Sequence, residues 1–93
     1  MSNRARFGIG LPVMTPAAQS LLERIGLSPT VLLERHCHGD WGELDADDIA
    51  RNELALVTRR RLLSSYVIPG GGKIWIITEA DRSVTTILLP EEY

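Results

Sequence analysis

Apolar residues recur at helical spacing through the first two thirds of the chain and switch to alternation in the last third. Leu21, Leu22 and Ile25 share one side of a segment that opens Thr15-Pro16 and closes at Gly26. An N-cap hydroxyl, a proline at N1 and a glycine past the end predict a helix with both boundaries defined. Ser28-Pro29 repeats the opening, with Leu27 and Leu32 placed as a hydrophobic staple, and Gly39 ends this second segment after His36, Cys37 and His38. Asp45 opens a third helix with Asp48 at N3, running to about Thr58. Its core-facing stripe is predicted from Ala50, Leu54 and Val57, widened by Ile49 and Leu56.

From Arg61 the period becomes two. Leu62, Ser64, Tyr66 and Ile68 oppose Leu63, Ser65 and Val67. Ile74, Ile76 and Thr78 oppose Trp75, Ile77 and Glu79, and Thr85, Ile87 and Leu89 oppose Val84, Thr86 and Leu88. Pro69 with Gly70–Gly72 closes the first run, and Glu79–Ser83 forms a polar turn between the other two. The expected fold is therefore α+β, a single domain over residues 1–93. Three short helices are followed by a three-stranded antiparallel meander. Phe7–Val13, broken by Gly8, Gly10 and Pro12, is demoted to an N-terminal edge strand or arm available to join that sheet or another subunit. Strands apolar on both sides call for a helical layer on one face and a second cover, a partner among the choices, on the other.

Composition narrows the classes. Ninety-three residues at 44% apolar content suit one small globular domain with a thin core. A formal charge of −2 gives no general pull toward nucleic acid or acidic membranes. A lone cysteine, Cys37, excludes an internal disulfide. No run is long enough to span a bilayer or to serve as a signal peptide, so the expected location is cytoplasmic.

Several groups of residues carry candidate chemistry. His36-Cys37-His38-Gly39-Asp40 has the atom types of a zinc site, but two histidines two apart diverge on a helix and no further ligand completes the set. Capping of helix-end carbonyls is the favoured role, and neither metal nor cofactor is expected. Trp41, between Gly39 and Gly42, is either a core plug, the favoured role, or a ligand-facing aromatic. In the Glu79–Ser83 turn, Arg82 is a candidate phosphate clamp, Ser83 or Thr86 a hydrogen-bonding partner, and Glu79 or Asp81 a base. With His36 or His38 nearby, His36, Arg82 and Thr86 would form the catalytic set of a metal-independent nuclease. A salt-bridged turn that sets strand register explains the same letters without chemistry. Arg59, Arg60 and Arg61, with Arg51 upstream and Lys73 across the sheet end, form a candidate phosphate-binding patch. Gly70-Gly71-Gly72-Lys73 lacks the spacing of a nucleotide-binding loop.

The blocks His38-Gly39-Asp40-Trp41-Gly42-Glu43-Leu44 and Lys73 through Pro90 resemble a family of small uncharacterised bacterial proteins often carried on plasmids and other mobile elements. That resemblance implies an identity and brings no activity, substrate or cofactor with it. Helices followed by a meander also resemble the architecture of small ribonuclease toxins, in which His36, Lys73, Arg82 and Thr86 would be analogues in type. The leading expectation is a non-enzymatic accessory or protein-interaction module, as a homodimer or with another protein partner. An RNA-directed nuclease and a nucleic-acid-binding module are the alternatives.

Overall fold

The computed structural model describes residues 4–93. Strand β1 (Leu11–Met14) leads into α1 (Pro16–Ile25), α2 (Pro29–Cys37) and α3 (Ala46–Thr58). Strands β2 (Leu62–Val67), β3 (Lys73–Thr78) and β4 (Val84–Leu88) follow, and a short 3₁₀ turn, Pro90–Glu92, ends the chain. The local start signals act as expected. Thr15, Ser28 and Asp45 each accept a backbone N–H with a side-chain oxygen, and Gly26 closes α1 at φ 70°. α2 ends at Cys37 rather than His38, which becomes the cap.

The sheet is four-stranded and mixed, in the order β1-β4-β3-β2. β2, β3 and β4 form the antiparallel meander, with Ser64 opposite Ile76 and Ile76 opposite Ile87. The expected antiparallel meander is present, and the N-terminal segment joins it as β1; because β1 lies parallel to β4, with Val13 beside Thr86, the sheet is four-stranded and mixed rather than three-stranded and antiparallel. Parallel pairing follows from connectivity, because the whole helical layer intervenes between these two strands and returns the chain in the same direction. Gly10 makes the approach possible. At φ 62° its missing Cβ leaves room for the carbonyls of Arg82 and Ser83.

α1 and α2 cover one face. Ala18, Leu22 and Leu32 pack there on Tyr66, Ile68, Ile74, Ile76 and Ile87. Fully burying side chains of the size of Leu22 or Ile76 contributes about 1.5–3 kcal/mol each. A second cluster of Trp41, Ala55 and Leu62, with Phe7, Leu44 and Leu56 against it, fills the end of the sheet beside α3.

α3 overturns its predicted orientation. Ala50 is exposed, Leu54 is 61% exposed and Val57 81% exposed, whereas Asn52 and Ala55 are buried. The physical reason is the free edge of β2. Leu63 N–H donates to Asn52 Oδ1 at 3.1 Å, and Asn52 Nδ2 donates to Leu63 O at 2.6 Å. One side-chain amide thus satisfies both outward groups of an edge residue that would otherwise lack partners. That docking turns Asn52 inward and the apolar stripe outward. Two residues along, Ser65 N–H donates to Trp41 O and Glu43 N–H to Ser65 O, at 3.0 and 2.6 Å. Gly42 permits this bridge, since a Cβ there would collide with the Ser65 carbonyl.

Candidate functional site

The polar candidates gather at the end of the sheet beneath Phe7. Alternation places Ser64, Thr78 and Thr85 on the inner face, and helical phase turns His36 of α2 toward them; all four are buried. His36 Nδ1 lies 2.6 Å from Ser64 Oγ and Nε2 lies 2.8 Å from Thr78 Oγ1. Thr78 Oγ1 is 2.6 Å from Thr85 Oγ1, which donates to Ile9 O at 2.8 Å.

A carbonyl only accepts, so proton directions along this chain are determined from its far end. Thr85 spends its hydrogen on Ile9, Thr78 therefore donates to Thr85, and His36 Nε2–H donates to Thr78. Nδ1 is left to accept from Ser64. His36 is thereby assigned as the neutral Nε2–H tautomer with both nitrogens used. Burial, reinforced by the Arg82 charge, pushes its pKa down to about 4. An imidazole so enclosed has no free nitrogen to exchange a proton with a substrate.

The ring is also sealed by aromatics. Phe7 meets His36 edge-on at 5.1 Å and stacks on Trp41 at 6.0 Å, while Trp41 meets His36 at 5.9 Å. Trp41 Nε1–H donates to Glu53 at 2.9 Å, and Arg6 grips both oxygens of the same carboxylate at 2.7 and 3.0 Å. These hydrogen bonds, Arg6 first and then Trp41, hold the Glu53 carboxyl down at about 2. Trp41 is thus buried as a core plug rather than presented to a ligand.

Arg82 approaches the same cluster, with its guanidinium carbon 5.8 Å from the Phe7 centroid. Both terminal nitrogens are engaged by backbone carbonyls: Nη1 donates to Arg60 O at 2.6 Å and Nη2 to Ala55 O at 3.0 Å. It therefore caps the negative end of α3 from across the β3–β4 turn. Its own left-handed backbone, at φ 63°, is a position that side chains seldom adopt. Burial lowers its pKa, with Arg59 as a further cause.

Other sequence candidates are dispersed. Thr86 lies on the opposite sheet face from Thr85 and His36, so the trio of His36, Arg82 and Thr86 does not converge. Glu79 pairs with Arg61 at 3.1 Å, and Asp81 accepts from Ser83 at 2.6 Å. Arg61 also donates to the Tyr93 hydroxyl at 2.8 Å. Lys73 opposes Val67 at one end of the hairpin, while Arg59, Arg60 and Arg61 precede Leu62 at the other. Five strand steps, roughly 16 Å, separate the ends, which splits the expected basic patch. His38 Nδ1 sits 2.7 Å from Glu34 O, in keeping with a capping role. Among the described residues no group of three or more His, Cys, Asp or Glu side chains is placed to hold a metal.

No family model, curated protein or solved structure matches this chain. Phe7, Asn52, Ser64, Thr78 and Thr85 were not among the sequence candidates. A usable signal existed for the hydroxyls, because three of them fall on the apolar side of their strands and need partners there.

The sheet's other face offers a different kind of site. Register places Leu11 and Val13 of β1 beside Val84 and Thr86, and Trp75 and Ile77 beside Leu88 and Thr86. Leu11 and Val13 are exposed there, whereas Ile77 and Leu88 are buried. The C-terminal segment crosses only part of the face, where Tyr93 packs against Trp75 at 5.8 Å. Between that segment and α3, a groove of about 300 Å³ is lined by Leu63, Trp75, Ile77 and Tyr93, with Arg51 and Arg61 at its rim. No described helix is long and apolar enough to cross a membrane.

Proposed function

We propose that this chain is a non-enzymatic protein-interaction module whose docking surface is the sheet face that carries Leu11, Val13 and Val67. The observation that carries the reading is the exposure of Leu11 (63%), Val13 (39%) and Val67 (56%) on the two outer strands of that face, flanking the buried Ile77 and Leu88 between them. Apolar side chains left exposed on a sheet face mark an interaction site. The rim carries Lys73 and the Arg61–Glu79 pair, an arrangement of apolar centre and charged border common to interfaces.

Both sheet edges favour the face over strand addition. β2 is closed by Asn52 and by the Trp41–Glu43 bridge. On β1, Leu11 and Thr15 donate inward to Ser83 and Ile87, so alternation turns Pro12 and Met14 outward. Pro12 has no N–H to offer, which blunts that edge. The commitment of His36 and Arg82 to internal bonds supports a role without catalysis, and the separation of Lys73 from Arg59–Arg61 favours protein over nucleic acid as partner.

Photo-crosslinking residues placed at Val13, at Val67 and, as a control, at Glu23 on α1 test the reading in producing cells. The expected result is one adduct of the same mass from both sheet positions and none from Glu23. Equal labelling at all three, or none at Val13 and Val67, would overturn it.

A further inference from the structure

The outward stripe of α3 is a second apolar surface, distinct from the sheet face, and its flanking charges specify what fits it. Ala50, Leu54 and Val57 stand at i, i+4 and i+7 on a helix that docks through Asn52 and Ala55 on its opposite side. Such spacing builds a seam for another helix. The small Ala50 allows close approach at one point, and Leu54 supplies a protruding side chain near the middle.

The ends of the stripe differ in sign. Asp47 lies one turn before Ala50 and on the same side by helical phase, while Arg59 and Arg60 follow the helix end. None of these three side chains joins an ion pair among the described residues. Glu53, which flanks the stripe, is already neutralised by Arg6. The helix therefore presents an apolar seam with an uncompensated acid at one end and uncompensated bases at the other.

We infer that α3 pairs antiparallel with α3 of a second copy of this chain. A two-fold axis close to Leu54 sets Leu54 beside its counterpart, offset by about one residue rise, and Ala50 near Val57 of the second copy. The same axis brings the acidic start of each helix, at Asp47, toward the basic Arg59–Arg60 segment that follows the helix end of the second copy. Each contact is reciprocated, as an isologous interface requires. Parallel pairing would instead bring Asp47 to Asp47 and the arginines to one another, with the helix dipoles aligned. The antiparallel order is selected by charge. A helix of thirteen residues is only ~20 Å long, so this is a small interface whose occupancy follows protein concentration.

Sedimentation equilibrium of the intact chain, from low micromolar to near-millimolar concentration, provides the test. A monomer–dimer equilibrium is expected. Leu54→Lys weakens it at least about tenfold, the effect of losing 1.4 kcal/mol. Asp47→Arg and Arg60→Asp each weaken it, and the two together restore it, because the swapped charges again meet across the axis. In a Cys37→Ser background, Leu54→Cys forms a disulfide-linked dimer under oxidation and Asp47→Cys does not. Asp47, Leu54 and Arg60 are exposed, and urea titration of each variant at low concentration verifies the fold. A strict monomer throughout would overturn the inference, as would a dimer indifferent to Leu54→Lys or a double swap no better than its single changes. A dimer abolished by Val13→Lys and unaffected at Leu54 would also overturn it, while leaving the sheet-face reading standing. Loss at Leu54 with no adducts at Val13 or Val67 would have the opposite meaning.

Discussion

Beneath α2, four polar side chains occupy interior positions, while along α3 three apolar side chains face solvent. Both regions reverse the usual rule of polar outside and apolar inside, for the same underlying reason. A buried polar group is tolerated when every hydrogen-bonding capacity is met, and His36, Ser64, Thr78 and Thr85 meet theirs in a chain ending on Ile9 O. On α3, the need to satisfy the Leu63 backbone makes Asn52 the docking residue and sets the phase of the helix against its own apolar stripe. Satisfying backbone and hydroxyl groups decided orientation in both places. Hydrophobicity then had to accommodate that decision, inside by surrounding the chain with Phe7 and Trp41, outside by leaving Leu54 and Val57 for another surface.

The contrast is broken most severely at His36. His36→Ala leaves a cavity and strips Ser64 and Thr78 of a partner, so urea denaturation should report a loss of about 3–5 kcal/mol. A loss under about 1 kcal/mol would show that water replaces the ring and that the chain is not a closed network.

Acid attacks the same region by another route. The folded pKa of His36, about 4, lies below its ordinary 6.5, so the unfolded state binds the proton first as pH falls. Its neutral burial carries no penalty above about pH 6.5, and stability declines between there and pH 4, by about 3 kcal/mol in all. Protonation of Glu53, whose carboxyl is held low by Arg6 and Trp41, removes further stability below its ordinary 4.5. Denaturant midpoints measured across this range should fall, and His36→Gln should flatten the portion above pH 4.5.

Asn52→Ala tests the other side of the comparison. It removes two hydrogen bonds and reopens the β2 edge, at a cost of about 2 kcal/mol with increased self-association at high concentration. Asn52→Asp should fail to rescue, since a carboxylate cannot donate to Leu63 O. The smallest effect belongs to the exterior. Leu54→Gln, measured at low concentration, should change folding stability by no more than about 0.5 kcal/mol. A larger destabilisation would place Leu54 in the core and dissolve the contrast.

Local signals were legible in the sequence wherever one residue and its near neighbours suffice. Thr15-Pro16, Ser28-Pro29 and Asp45 begin their helices, Gly26 ends one, and alternation from Leu62 to Leu88 assigns each residue to its sheet face. Capping and pleating are short-range geometry, so these letters carry them unaided. The side of α3 that faces inward, the parallel addition of β1, the aromatic seal of Phe7 over His36 and the capture of Arg82 by α3 carbonyls were decided only by the tertiary structure. Each depends on groups far apart in the chain, whose unmet hydrogen bonds become visible only once the strands have an edge and the helices have an end.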